Sequence, residues 1–377
     1  IRTGHSSTNT VPAVRATARI QNNLILTVKR ASGETETIVK KGDPWTANLA
    51  KLILNMLLGG HYGGTAQAWT YTDGSTGTMI DTDAIGFNPT FAIAIGNGTT
   101  PFSVDDYTLS NQITLNDVPS DYIAFSDNGT CYNINATSSF TVSYAVNITE
   151  VGLLIKVDSD ISGSGTTANY ILLSRDLLDT PVHLEANDTI SVQYVIYFSY
   201  GSPPLTKQFY ALMLNYIFGL RAYGKAISFK CTDGTSASGS DFSIDYYNPD
   251  NVLYLDNVHE NLYAWLGNGS NIWGYDNYTL SNKIATSTST TPFSLTYNST
   301  HAKFTVTITY SFSTSNTITE VGFVIQSIDI DTGTGSVYTP NRAKNVLVVY
   351  FVLDNPVYVE SGGTFKFKCE IVLPLAG

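Results

Sequence analysis

Matched carboxylates recur along this 377-residue chain, and paired carboxylates can supply general acid/base chemistry. Glu150 in "ITEVGLLI" answers Glu320 in "ITEVGFVI", and Glu185 in "LDTPVHLE" answers Glu360 in "LDNPVYVE". Their placement argues against catalysis. A duplicated active site decays in one copy or forms between copies, whereas residues that hold turns are retained in both. Asp158 and Asp160 in "VDSDISGSG" correspond to Asp329 and Asp331 in "IDIDTGTG". Alternating carboxylates on a loop suit calcium, which takes six to eight oxygen ligands, but Asp and Gly also build tight hairpin turns. The spacing supplies no further ligands, so the turn is preferred and no metal or cofactor is assigned. His5, His61, His183, His259 and His301 are scattered, with no P-loop, GxSxG elbow or HExxH among the motifs. A non-enzymatic protein is expected. Trp265, Trp273 and Tyr275 cluster around one turn and could form a platform for stacking sugars, against which stands ordinary aromatic core packing.

The elements that position these residues come in two copies. "GNGTTPFSVDDYTLSNQI" from Gly96 and "GNGSNIWGYDNYTLSNKI" from Gly267 agree at 10 of 18 positions. "PWTANLAKLILNMLLG" from Pro44 aligns without a gap on "PLTKQFYALMLNYIFG" from Pro204. With the two carboxylate motifs, four landmarks recur in one order, too far apart for a solenoid repeat, whose period is roughly 20 to 50 residues. Two related domains are therefore expected, each long enough to bury its own core. The boundaries are a basic N-terminal arm with a first strand over 1–43, a first domain over 14–201 and a second over 202–377, joined at "SYGSPPL".

Each copy reads as strands. "KFTVTITYSF" alternates Phe304, Val306, Ile308, Tyr310 and Phe312 with hydroxyls, and "SFTVSYAV" alternates Phe140, Val142, Tyr144 and Val146. This two-residue period marks half-buried strands of antiparallel sheets. "TFKFKCEIVL" turns Cys369 inward with Phe365, Phe367 and Ile371. The Pro44 segment and its copy differ: Leu49, Leu52, Ile53, Met56 and Leu57, like Phe209, Leu212, Met213, Tyr216 and Ile217, recur at helical spacing. Each helix is expected to cover an end or edge of its sandwich. The fold class is thus all-β: two tandem jelly-roll-like antiparallel β-sandwiches, each with one amphipathic helix, arising from internal duplication. The jelly roll is chosen over an immunoglobulin fold only because the halves exceed about 100 residues.

Charged residues form 14% of the chain and the net charge is −11, which argues against a nucleic-acid partner. Residues 1–43 run the other way, with seven basic residues against three acids. The first dozen residues read as a flexible arm, and Arg2, Arg15 and Arg19 are candidates for docking it on an acidic neighbour, a solvated tail being the competing reading. No apolar run reaches the ~18 residues of a membrane span. Eight glycosylation sequons occur, at Asn97, Asn128, Asn135, Asn147, Asn187, Asn268, Asn277 and Asn298.

The succession "GNGxxxxxxDxYTLSN", "ITEVG", "LDxPVxxE" and a closing "TISVxY"-type strand resembles the β-sandwich modules of viral and phage appendage proteins. In tandem, with low charge and abundant Thr, Ser, Asn and Tyr, these modules look like the turret-protein family of Sulfolobus turreted icosahedral virus. The resemblance implies a virion structural protein at the fivefold vertex. It also implies assembly with itself in a cyclic, pentameric ring, contacts with other vertex and capsid proteins, and a part in host attachment through surface glycans. No catalytic residues carry over. The alternative is a carbohydrate-binding or surface-layer glycoprotein module.

Overall fold

The computed structural model describes residues 8–10, 13–42, 45–58, 67–77, 89–159, 167–200, 205–220, 222–237, 262–270, 272–274, 276–287, 293–329 and 343–375. In the first half these form β1 (Thr8–Thr10), β2 (Val14–Thr17), β3 (Arg19–Lys29), β4 (Thr35–Lys41), α1 (Ala47–Leu58), β5 (Trp69–Thr70), β6 (Thr76–Gly77), β7 (Thr90–Gly96), β8 (Gln112–Asp117), β9 (Ile123–Asp127), β10 (Cys131–Thr141), β11 (Val146–Ser159), β12 (Thr167–Leu184) and β13 (Thr189–Ser199). The second half supplies α2 (Lys207–Tyr216), β14 (Phe229–Lys230), β15 (Ser236–Ala237), β16 (Leu262–Gly267), β17 (Lys283–Thr286), β18 (Phe293–Tyr297), β19 (His301–Ser311), β20 (Asn316–Asp329), β21 (Ala343–Val359) and β22 (Thr364–Pro374).

The fold is all-β. In the first half a sheet ordered β4-β3-β13-β10-β9 faces one ordered β12-β11-β7-β8; in the second, β2-β22-β19-β18, with β1 also on β22, faces β21-β20-β16-β17. The two-stranded ribbons β5-β6 and β14-β15 complete the matching orders. The jelly roll rested on length alone; here the hairpins β7-β8, β9-β10 and β11-β12 each stay within one sheet. Alternation sets the faces: Ile190, Val192, Tyr194, Ile196 and Phe198 of β13 are fully buried, while Thr189, Ser191, Gln193, Val195 and Tyr197 stay half-exposed. Phe304, Val306 and Ile308 are buried as expected, as is Cys369. Tyr144 is not: β10 ends at Thr141, and the turn after it leaves the ring 60% exposed.

The helices cover the sandwich edges through their first turns. Trp45 bridges Ser174 and Leu205 bridges Val349, so the residue two before each helix extends the outer edge of β12 or β21. The Thr46 hydroxyl donates to the Leu172 carbonyl at 2.7 Å and the Thr206 hydroxyl to the Leu347 carbonyl at 2.7 Å. Thr206 also caps α2, accepting from the Phe209 amide at 3.3 Å. Farther along, Asn55 takes both backbone groups of Gln67, at 3.0 and 2.9 Å, and Asn215 both of Ile227, each at 2.8 Å. A buried amide satisfied on both sides acts as one more strand residue. No described helix is long and apolar enough to cross a membrane.

Two expectations are corrected. Among the described residues the second half has no counterpart of the β3-β4 hairpin, since α2 begins at Lys207, soon after β13 ends at Ser199. The edge of β22 is covered by the N-terminal segment instead. Thr8–Thr10 pairs in parallel with Thr364–Lys366 and Val14–Thr17 with Cys369–Val372; the Ala18 amide then donates to the Val372 carbonyl at 2.7 Å, and Arg19 pairs with Ser199. Residues 8–10 are therefore strand, not flexible arm, and 14–17 belong to the second half's sheet although placed with the first. Nor do the halves bury separate cores. One apolar cluster runs through both, and Phe218 after α2 sits 5.0 Å from Phe198, 5.9 Å from Phe91 and 6.4 Å from Trp45 between ring centroids. Lys207 pairs with Asp127 at 2.8 Å across the same junction.

Gly219 makes the turn beyond α2 at φ +59°, and a Cβ there would lie 1.7 Å from the Pro89 carbonyl oxygen. Gly219→Ala is expected to destabilise the whole chain by about 2 kcal/mol or more, adding the left-handed penalty to a backbone displacement. Chemical denaturation should show one transition shifted to lower denaturant. Two transitions, only one of them shifted, would show that the halves unfold separately.

Candidate functional site: buried carboxylates beneath the repeated loops

The two loops of matching sequence lie across the outer faces of their sheets. In the first half Leu109 packs with Ala92, Ala94, Leu154 and Leu172, and the sheet makes room at Gly152, where a Cβ would stand 3.0 Å from side-chain carbons of both Leu109 and Leu172. What fixes this loop is Glu150, fully buried on β11. Its Oε1 accepts from the Gly98 amide at 3.0 Å and the Asn111 amide at 2.7 Å; its Oε2 accepts from the Ser110 amide at 3.0 Å and Arg175 Nε at 2.8 Å. Arg175, 1% exposed, continues to Asp106 at 2.8 Å and the Thr100 carbonyl at 2.8 Å. One buried guanidinium thus joins the β11 carboxylate to the middle of the loop.

Burial by itself pushes the Glu150 carboxyl up; the Asn111 amide, the Arg175 guanidinium and the Ser110 amide outweigh it and hold the group below its ordinary value. Each oxygen is occupied by donors that stabilise the anion, so Glu150 is an anchor and is poorly suited to exchange protons with a substrate. The second half keeps the carboxylate and changes its partners. Glu320 is fully buried and accepts on Oε2 from the Ser281 amide at 2.9 Å and the Tyr350 hydroxyl at 3.0 Å, with no partner on Oε1. Tyr350 stands where the first half has Arg175, and Asn277 where it has Asp106. Both charges of the first network other than the anchor are gone. Burial, with the nearby Glu320 adding to it, pushes the Tyr350 hydroxyl up.

Aromatic bulk accompanies that change. Trp265 occupies the position of Ala94 and packs with Leu280, Val324, Leu347 and Tyr350, with Trp273 half-buried against them. As a sugar-stacking platform Trp265 is overturned: it is 5% exposed, and the Lys283 ammonium lies 4.0 Å from its ring centroid. A stacking ring must offer a free face. Tyr275 lies outside the described residues.

The other candidates disperse. Asp158 and Asp329 fall in the paired ends of β11 and β20, opposite Ala168 and Ala343, while Asp160 and Asp331 lie outside the described residues. Among the described residues no group of three or more His, Cys, Asp or Glu is placed to hold a metal ion. Glu185 is exposed beside His183 at 2.9 Å, and Glu360 is exposed. Cys131, Cys231 and Cys369 are all free thiols. Arg15 stands opposite Glu370 and its charge helps hold that carboxyl down, after Lys368 and Lys303. Arg19 is exposed, its amide donating to the Tyr210 hydroxyl at 3.3 Å, and Arg2 lies outside the described residues. Of the sequons, Asn97, Asn128, Asn147, Asn187, Asn268 and Asn298 are exposed and Asn277 half-buried. Asn135 is half-buried within β10, its Oδ1 buried without a partner.

Arg175 and Asp106 escaped sequence reasoning because neither recurs in the second copy. The departures themselves, Arg to Tyr and Asp to Asn at matched positions, were the available signal. Asp188 was missed too: 2% exposed, it accepts from the Glu185 amide at 2.9 Å, the Ala31 amide at 2.8 Å and Arg30 at 3.0 Å, fastening the β3-β4 hairpin to β13.

No family model matches the chain, and no curated protein matches it. Among solved structures, a 2'-deoxycytidine 5'-triphosphate deaminase from Agrobacterium tumefaciens aligns over 87% of this chain and 98% of that one at 10% identity, with a TM-score of 0.10. That score carries no argument about fold or activity.

Arg175→Met is expected to cost about 3–5 kcal/mol, because it strands two carboxylates, one fully buried. The Glu150 carboxyl is held down in the fold, so its stabilising contribution is complete above the unfolded value of about 4.3 and disappears as pH falls through the lower folded value. Acid titration followed by circular dichroism should therefore show the variant unfolding at higher pH than the parent. Coincident acid transitions would remove Arg175 from this role.

Proposed function

We propose that the chain is a non-enzymatic structural protein of a virion. It forms the projection at the fivefold vertex of an icosahedral capsid, assembles with itself into a pentameric ring, contacts other vertex proteins and contributes to host attachment. The observation that supports this most is the use of its best chemical group: Glu150, buried and saturated by three amides and a guanidinium, serves to pin a surface loop. Two sandwiches joined through one apolar cluster and one shared N-terminal run make a stiff body suited to projecting from a surface. Heterologous contacts between unlike patches on such a body close into rings. Attachment through host glycans, other vertex proteins as partners and a location at the capsid surface belong to the same reading.

A carbohydrate-binding or surface-layer module is the second reading, favoured by Ile272, 89% exposed, beside Trp273 at the tip of the second loop. Negative-stain microscopy of the purified chain, together with adsorption of particles depleted of it, distinguishes the two. Fivefold rings and reduced adsorption are expected. A persistent monomer whose glycan-array binding is abolished by Trp273→Ala would replace the virion reading with the second one.

A further inference from the structure

The eight sequons are not equivalent in the folded chain. At Asn128-Gly129-Thr130, between β9 and β10, the Asn128 Oδ1 accepts from the Thr130 amide at 3.0 Å, the Thr130 hydroxyl at 3.1 Å and the Cys131 amide at 2.8 Å. At Asn298-Ser299-Thr300, between β18 and β19, the Asn298 Oδ1 accepts from the Thr300 amide at 2.9 Å, the Thr300 hydroxyl at 2.9 Å and the His301 amide at 3.0 Å. Both are Asx turns, both asparagines are exposed, and the turn takes only the carbonyl end of each side-chain amide. At both sites the sequon hydroxyl lies within hydrogen-bond distance of its own asparagine, Thr300 also standing 3.0 Å from His301 Nδ1, and the nucleophilic Nδ2 is left out of the turn.

The other six lack this arrangement. Asn97 Oδ1 accepts from the Asn111 side chain at 2.5 Å and Asn268 Oδ1 from the Asn282 side chain at 2.6 Å, which ties each asparagine to the far end of its loop. The hydroxyl of the Asn147 sequon, on Thr149, donates to the Gly98 carbonyl at 2.7 Å. That of the Asn187 sequon, on Thr189, is paired with Thr141 at 2.9 Å. Asn277 donates its Nδ2 to the Ile272 carbonyl at 3.4 Å, and Asn135 lies within a sheet.

We infer that Asn128 and Asn298 are the N-glycan acceptors of the folded chain. The co-reactant is an oligosaccharide linked through pyrophosphate to a lipid. The asparagine nitrogen attacks the anomeric carbon, a C–N bond forms and the C–O bond to phosphate breaks. The lipid pyrophosphate leaves with that electron pair, and the amide nitrogen releases one proton to a base of the transferase. The two acceptors occupy matching hairpins, so both halves would present a sugar at the same place in the fold. The inference does not rest on the virion reading, and the test below concerns glycan transfer alone.

The test takes the folded full-length chain and the same chain unfolded in denaturant and diluted immediately before assay. Each is given to a single-subunit oligosaccharyltransferase of N-x-S/T specificity with lipid-linked oligosaccharide, and occupancy is mapped by peptide mass spectrometry. The folded chain should carry glycan chiefly at Asn128 and Asn298, the unfolded chain at further sequons including Asn135. Asn128→Gln and Asn298→Gln should each remove one glycan mass, and Thr130→Ser should retain the Asn128 glycan where Thr130→Ala loses it. A folded chain bare at both sites while the unfolded chain is modified, or one modified as heavily at Asn135 and Asn277, would overturn the inference.

Discussion

A sheet edge with unpaired donors and acceptors must be paired, covered or made unattractive, and the strands of the second half would by themselves leave such an edge on β22. Its helix follows the first half too closely to leave room for a hairpin like β3-β4. The N-terminal segment covers the edge instead, in parallel, before turning at Ala18 to pair with β13. Much else follows from that arrangement. Thr8–Thr10 and Val14–Thr17 become part of the second sheet, the ends of β13 and β22 are brought to one place, and the apolar residues of both sandwiches close into a single cluster around Phe218.

The two loop anchors show how one fold accommodates different electrostatics. In each half a fully buried glutamate holds a loop against the outside of a sheet, and a glycine beside it is obligatory: a Cβ would come within 2.4 Å of the carboxylate at Gly98 and 1.8 Å at Gly269. The first half compensates its anion with Arg175, itself bonded to Asp106. The second half replaces that pair with Tyr350 and Asn277 and fills space with Trp265. The Glu320 carboxyl group itself remains, and neutral donors, the Ser281 amide and the Tyr350 hydroxyl, meet it there in place of a guanidinium. Among its described residues the aromatic bulk of the second loop is packing first, Ile272 being exposed and Trp273 half-buried at its tip.

Much of this was legible locally. Alternation in "KFTVTITYSF" places Phe304, Val306 and Ile308 inside, because a strand repeats every two residues wherever it lies. Leu49, Leu52, Ile53, Met56 and Leu57 are all buried on α1, as helical spacing requires. The strand content, both helices and their covering of an edge, and the turn-holding role of Glu150 could be argued without coordinates. The failures involve contacts between distant residues. Tyr144 looked inward because alternation cannot announce that a strand has ended. For Trp265 the preferred reading, core packing, holds, with a lysine over the ring that sequence does not show.

By itself the sequence determined the periodicities, the matching landmarks and the residues that only a turn, a helix or a buried strand would favour, since those depend on neighbours a few positions away. Tertiary structure alone decided that Thr8–Thr10 and Val14–Thr17 belong to the sheet of the other half, that the halves share a core, and that Arg175 links Glu150 to Asp106. Such partners lie tens to hundreds of residues apart, and the free energy that selects them, pairing an open edge or neutralising a buried anion, exists only once the chain has brought them together.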